Sequence, residues 1–230
     1  MKHQMKFLAV AAVAAAALLA AGSVSAQTAG TWMVRAGVTK LAPVGPSGCM
    51  TAPDYGDLSG CTRSNVSADT QLAGGITYMY TDNISIDVPL ALPFKHKIIG
   101  AGTMVNTGQL GEVKALPMTV FLQYRFLEAN AKFRPYVGLG VTYAYFFDEQ
   151  GSYHLTQTTN PGGPPTSFTV DSKFILTPQI GATLALNDKW FIDVFYSKTK
   201  LSTTTHFSTG QSMNADLDPA AYGIAVGYKF

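Results

Sequence analysis

Three histidines, His96, His154 and His206, and two cysteines, Cys49 and Cys61, are the side chains of this sequence best suited to covalent or metal chemistry. A histidine beside a serine or carboxylate could serve as a base for acyl transfer, because imidazole titrates near neutrality. Each of these three, however, falls in a different connection between apolar runs, and no G-x-S-x-G string presents a serine nucleophile. Gly100-Ala101-Gly102 follows no strand-to-helix nucleotide pattern. The sequence therefore predicts a protein that is not an enzyme. The cysteines lack zinc-ligand spacing and have no histidine near them in sequence, so neither a metal nor a cofactor is expected. Both lie in one connection, and in an exported chain that arrangement predicts a disulfide. Closing a loop of about 13 residues would contribute on the order of 3 kcal/mol in the chain-entropy description.

Export is predicted by the first 26 residues. Lys2 and Lys6 precede a run of Ala, Leu and Val from Phe7 to Ala21, and Ser23-Val24-Ser25-Ala26 supplies small residues for cleavage. The run is shorter than the ~20 residues that a spanning helix needs. Residues 1–26 are accordingly read as a signal peptide, and residues 27–230 as the folded part. Without Lys2 and Lys6 the 16 basic residues become 14, against 14 acidic ones. A neutral chain whose longest basic run is Lys95-His96-Lys97 predicts no nucleic-acid partner. Only 13% of residues are charged while 47% are hydrophobic, where soluble domains carry about a quarter charged. Much of the surface is expected to face something other than water.

Spacing says how. Beyond residue 26 no apolar run is long enough for a membrane helix, and the dominant pattern is a period of two. Tyr222, Ile224, Val226, Tyr228 and Phe230 alternate with Ala221, Gly223, Ala225, Gly227 and Lys229. Comparable alternation marks strands over residues 32–39, 71–80, 84–90, 118–126, 133–145, 174–184 and 190–197. The face opposite the large apolar residues carries Gly, Ala, Thr and Gln with single charges, unlike the Lys and Glu of a soluble sheet. Eight closed strands leave an interior that side chains just fill, and an apolar exterior around a polar interior is the arrangement of outer-membrane barrels. A ten-residue strand rising ~3.3 Å per residue at a tilt of about 40° spans roughly 25 Å, the height of their apolar band. The fold expected is all-β, an eight-stranded antiparallel transmembrane β-barrel.

Connections agree with this reading. Short turns at 81–83, 128–132 and 187–188 alternate with long connections at 42–66, 91–116, 148–172 and 202–215, as periplasmic turns alternate with external loops. Trp32, Tyr80, Phe126, Phe133, Tyr145, Trp190 and Phe230 stand near strand ends, where aromatic girdles form. Inward positions include the apolar Met33, Met79, Pro89, Phe121, Phe191 and Phe195, together with Arg35, Asp87, Gln123, Arg125, Arg134, Gln179 and Asp193. Buried charges are tolerated only when paired. Arg35, Arg125 and Arg134 are thus expected to pair with Asp87 and Asp193, plugging the periplasmic half and leaving an apolar pocket toward the loops.

Several strings go further. Thr81-Asp82-Asn83-Ile84, Pro93-Phe94-Lys95-His96-Lys97-Ile98, Leu116-Pro117, Lys132-Phe133-Arg134-Pro135-Tyr136-Val137-Gly138, Phe146-Phe147-Asp148, Leu217-Asp218-Pro219 and Gly227-Tyr228-Lys229-Phe230 resemble the outer membrane protein W (OmpW) family in order and separation. Loops one, three and four match poorly, including the cysteine pair and residues 160–165. The resemblance implies a barrel in the bacterial outer membrane with a largely hydrophobic channel, through which small apolar molecules enter and leave sideways into lipid. It adds Phe94 as a pocket residue and Phe174 as a further lining candidate, with His96 and Lys97 as structural or lipid-facing contacts. Lipid, lipopolysaccharide and small hydrophobic solutes are the partners implied, along with the barrel assembly machinery, which would read the C-terminal strand ending at Phe230. An alternative is a structural or receptor barrel whose loops bind a partner without transport.

Overall fold

The computed structural model describes residues 26–45, 47–51, 62–102 and 105–230. The predicted signal peptide and Cys61 lie outside the described residues. Strands β1 (Trp32–Ala42), β4 (Asp69–Met79), β5 (Ile84–Ala91), β7 (Gln109–Arg125), β8 (Phe133–Gly151), β10 (Lys173–Ala185), β11 (Trp190–Lys198) and β14 (Ala220–Lys229) are the staves. Each pairs antiparallel with its neighbours, and β1 closes on β14 with Met33 opposite Lys229 and Ala42 opposite Ala220. The result is a closed eight-stranded barrel.

Alternation places the side chains as expected. Val34, Leu72, Leu122, Leu139, Ile180 and Ile224 are exposed on the outer face, while Thr77, Gln123, Thr142, Gln179 and Asp193 are buried in the lumen. Such an exterior is stable only against hydrocarbon. Two aromatic girdles bound it. Trp32 against Tyr78 and Trp190 against Tyr228 mark the turn end, and Tyr143, Tyr145, Phe147 and Phe174 form a connected set at the other. Glycines make the lumen passable for large side chains. A Cβ at Gly227 would strike the Phe191 ring, at Gly140 the Phe121 ring and at Gly181 the Tyr136 ring.

The long connections are not irregular, as their expected status as loops would have them. Residues 91–116 hold β6 (Phe94–Gly102) and the first part of β7, and β8 runs on to Gly151 before a short helix, α1 (Tyr153–Thr159), capped by the Ser152 hydroxyl. Backbone outside a bilayer can use water, yet period-two patterns such as Phe94, His96 and Ile98 continue past the membrane and keep the chain extended. β2 (Ser47–Thr51), β13 (Ser212–Asp216), β12 (Ser202–Phe207) and β9 (Phe168–Val170) pair in that order as a separate four-stranded sheet. β3 (Thr62–Val66) instead adds to β6. Met50, Leu110, Leu155, Phe168, Phe207 and Met213 belong to one buried cluster, so the external connections share a hydrophobic core of their own above the barrel.

Candidate functional site

The lumen is divided into a polar floor and an apolar chamber. Arg35 on β1 lies between Gly75 of β4 and Gly227 of β14, and a Cβ at Gly75 would meet its guanidinium. That space lets the side chain run sideways to Asp87 on β5. The pair is bidentate, at 2.5 and 2.9 Å, and Thr77 Oγ1 accepts from Arg35 and donates to Asp87. Arg35 Nε also stands 3.7 Å from Asp193 Oδ1, and Asp193 accepts hydrogen bonds from Tyr136 Oη and Thr183 Oγ1. A bidentate, fully hydrogen-bonded pair is the arrangement that offsets charge desolvation.

The other two arginines depart from expectation. Arg125 donates to Ser85 Oγ, Thr183 Oγ1 and Gln123 Oε1 at 2.8 to 3.0 Å, and stacks over the Tyr136 ring at 4.7 Å. Arg134 donates to the backbone carbonyls of Gln27, Asp82, Phe126 and Leu127. Among the described residues neither makes a salt bridge with Asp87 or Asp193. The reason is register: Arg35, Asp87 and Asp193 share one level of the barrel, whereas Arg134 stands nearer the turn end, where carbonyls of the N-terminal segment and of two strand connections converge. Gln123 and Gln179 join the network at 2.8 Å, and no enclosed side-chain nitrogen or oxygen among the described residues lacks a partner.

Above this floor Thr119, Thr142, Thr177 and Thr199 form a hydroxyl chain across β7, β8, β10 and the segment after β11, with links of 2.8, 2.7 and 3.1 Å. An elongated cavity of about 160 Å³ rises from there toward the external sheet. Pro89, Phe94, Phe121 and Phe195 line it. Met33, Met79 and Phe191, predicted beside them, also point inward but pack on one another in a separate cluster at the turn end. Phe174 is corrected outright: it is 74% exposed and stacks with Tyr143 on the outer face, because its even position in β10 matches Leu176 and Ile180. His96, expected to be structural or lipid-facing, is buried and lines the cavity, whereas Lys97 is exposed. Burial pushes the His96 imidazole below its ordinary 6.5, against the opposing pull of the Ser67 carbonyl and Asp69.

Sequence reasoning missed the upper lining. Val66, Ile98, Val113 and Met213 come from segments read as loops, and Leu201 and Leu217 from residues flanking the last of them. For Ile98 and Val113 the signal was the continued alternation in 94–98 and 109–117.

The wall has one break beside this chamber. β5 pairs with β7 from Ile84 opposite Tyr124 to Asp87 opposite Phe121, and pairing resumes only on β6 with Phe94 opposite Ala115. Between them residues 88–92 keep a backbone ladder with β4 alone. Pro89 and Pro117 both fall here and have no N–H to donate. Pro89, Ala91, Pro117 and Thr119 face the cavity, while Val88, Leu90, Leu92, Met118 and Val120 face outward.

Known proteins share this architecture. The OmpW family model matches residues 28–230. Outer membrane protein W of Vibrio cholerae is 37% identical over 227 residues, covering 96% of this chain and 98% of that protein. The crystal structure of the outer membrane protein OprG from Pseudomonas aeruginosa superposes with a TM-score of 0.79 at 26% identity, over 90% of this chain and 99% of that one. The Escherichia coli outer membrane protein W in solution gives 0.55 at 29% identity, over 89% and 100%. With a lipid-facing exterior, a closed eight-stranded wall and similarity over its whole barrel, this bacterial outer-membrane protein belongs to the OmpW family.

Proposed function

We propose that the barrel passes small hydrophobic molecules passively from the cell exterior into the outer membrane, entering the chamber from above and leaving through the break between β5 and β7. The observation that carries this reading is the conjunction of an apolar chamber, a floor sealed by the Arg35–Asp87 network, and an unpaired stretch of wall with cavity on one side and lipid on the other. A solute that cannot cross a bonded ionic floor has a shorter path sideways. Burial of apolar surface at ~25 cal/mol per Å² supplies the drive, so no energy source is required. Phe94 and Phe121 are the aromatic contacts along this path, and Pro89 and Pro117 hold the wall unzipped.

Lipopolysaccharide is the proposed lipid partner of the outer rim, where Lys95 and Lys97 are exposed. Phe230, 74% exposed at the end of β14, is the proposed signal for the barrel assembly machinery. Flux is tested in liposomes loaded with a trapping reporter and supplied with labelled naphthalene. Protein-containing vesicles are expected to fill faster than empty ones. Val88→Cys with Val120→Cys, in a Cys49→Ser, Cys61→Ser background, places thiols across the break; oxidation should slow filling and reduction restore it. Filling unaffected by the protein would end the transport reading.

A further inference from the structure

The chamber lining includes an imidazole that passage of hydrocarbons leaves idle. His96 on β6 is 3% exposed, stacks beside Phe94 with ring centres 6.5 Å apart, and lines the cavity with Ser64, Val66, Ile98 and Val113. Its Nδ1 lies 2.7 Å from the Ser67 carbonyl oxygen. A carbonyl can only accept, so Nδ1 carries the proton and Nε2 keeps a bare lone pair. Among the described residues no donor is bonded to Nε2, and none of their buried side-chain nitrogens is enclosed without a partner. The lone pair therefore opens onto the cavity.

Several other polar groups of the lining are engaged, and the Thr39, Ser197 and Thr205 hydroxyls, which both donate and accept, favour neither kind of solute. The four floor threonines bond one another, the Ser64 hydroxyl contacts the Met213 sulfur at 3.9 Å, and the Thr203 hydroxyl donates to the Asp171 carbonyl at 2.7 Å. Thr119 lies six residues below Val113, the partner of His96 across the β6–β7 ladder, which places the hydroxyl chain roughly 20 Å lower along the strand. An apolar molecule beside His96 strips water from Nε2 and returns nothing, whereas one with a donor at that position replaces the lost hydrogen bond.

We infer that His96 makes the chamber select, among apolar molecules of similar shape, those carrying one O–H or N–H donor, such as phenols and alcohols, over hydrocarbons and ethers. This rests on the reading of the cavity as the solute path.

The test is equilibrium binding at pH 8 to the mature protein in lipid nanodiscs, with partition into empty nanodiscs subtracted, using naphthalene, 1-methoxynaphthalene and 1-naphthol. The wild type should bind 1-naphthol about fivefold more tightly than the other two, the worth of one neutral hydrogen bond. Within His96→Phe, 1-naphthol should lose its preference over naphthalene and 1-methoxynaphthalene. Equal affinity for the three compounds in the wild type overturns the inference while leaving the path intact, and so does a preference that survives in a folded His96→Phe protein. No saturable binding of any compound removes the path itself. The comparison among compounds needs no variant, so misfolding of His96→Phe would not blunt it.

Discussion

Arg35 and Asp87 show how little freedom a buried charge has. Their bidentate pair is among the most buried polar contacts of the lumen, with side chains 6% and 0% exposed, and Thr77 locks its geometry. Asp87→Ala should therefore destabilise the barrel by about 3–5 kcal/mol, because it strands a guanidinium in the lumen. Asp193, 3.7 Å away, recovers only part of that. Urea unfolding in detergent micelles, followed by tryptophan fluorescence, measures the loss; a change under 1 kcal/mol would mean that water reaches Arg35 freely. His96 makes a second prediction. Its pKa is depressed in the fold, so its contribution to stability is full above the unfolded value near 6.5 and is lost as pH falls toward the folded value. NMR of the ring should give a titration midpoint below 6.5, and acidification from pH 7 should lower the unfolding midpoint less in His96→Phe than in the wild type.

At the level of strands, the two faces carry different obligations. Leu139, at the middle of the membrane-crossing part of β8 and 55% exposed to lipid, should tolerate apolar replacement, while Leu139→Arg costs about 2–4 kcal/mol. On the inner face, size is limiting instead. Gly227→Ala pushes a methyl into the Phe191 ring, and overpacking of this kind should cost about 1–3 kcal/mol. Chemical denaturation of the two variants in the same lipid distinguishes them, since only the Arg variant should be rescued by a thinner bilayer. β2 carries a further expectation: Cys49 lies on it, Cys61 lies beyond the described residues, and a bridge between them predicts faster migration of the unreduced protein in a denaturing gel, lost in Cys49→Ser.

For the whole molecule, closure does two things that no single strand could. Among the described residues it leaves strand edge in the wall only at the break between β5 and β7, and it brings residues 35, 87 and 193, far apart in the chain, to one level of the lumen. It also sets where closure fails. The break between β5 and β7 sits beside the chamber because two prolines, offset by about two residues along facing strands, have no N–H to bridge them. Cleavage after Ala26 would leave Gln27 as the first residue, and Gln27 is buried at the turn end with its carbonyl on Arg134. N-terminal sequencing of protein from outer membranes should therefore begin at Gln27.

Barrel, strand count, inside and outside were legible in the residue order, because period two sorts side chains to two faces whatever the neighbours do. Trp32 to Val38 and Tyr222 to Phe230 carry that information locally. Which arginine meets which aspartate was not legible. Register and shear place residues from different strands at one height, and a single strand contains neither quantity. The same cause explains Met33, Met79 and Phe191, inward as read but packed below the floor. It explains the upper lining too, where Leu201 and Leu217 reach the chamber only once the external segments have folded over it. Sequence determined the face of each side chain; tertiary structure alone decided its depth, and depth separates a plug from a path.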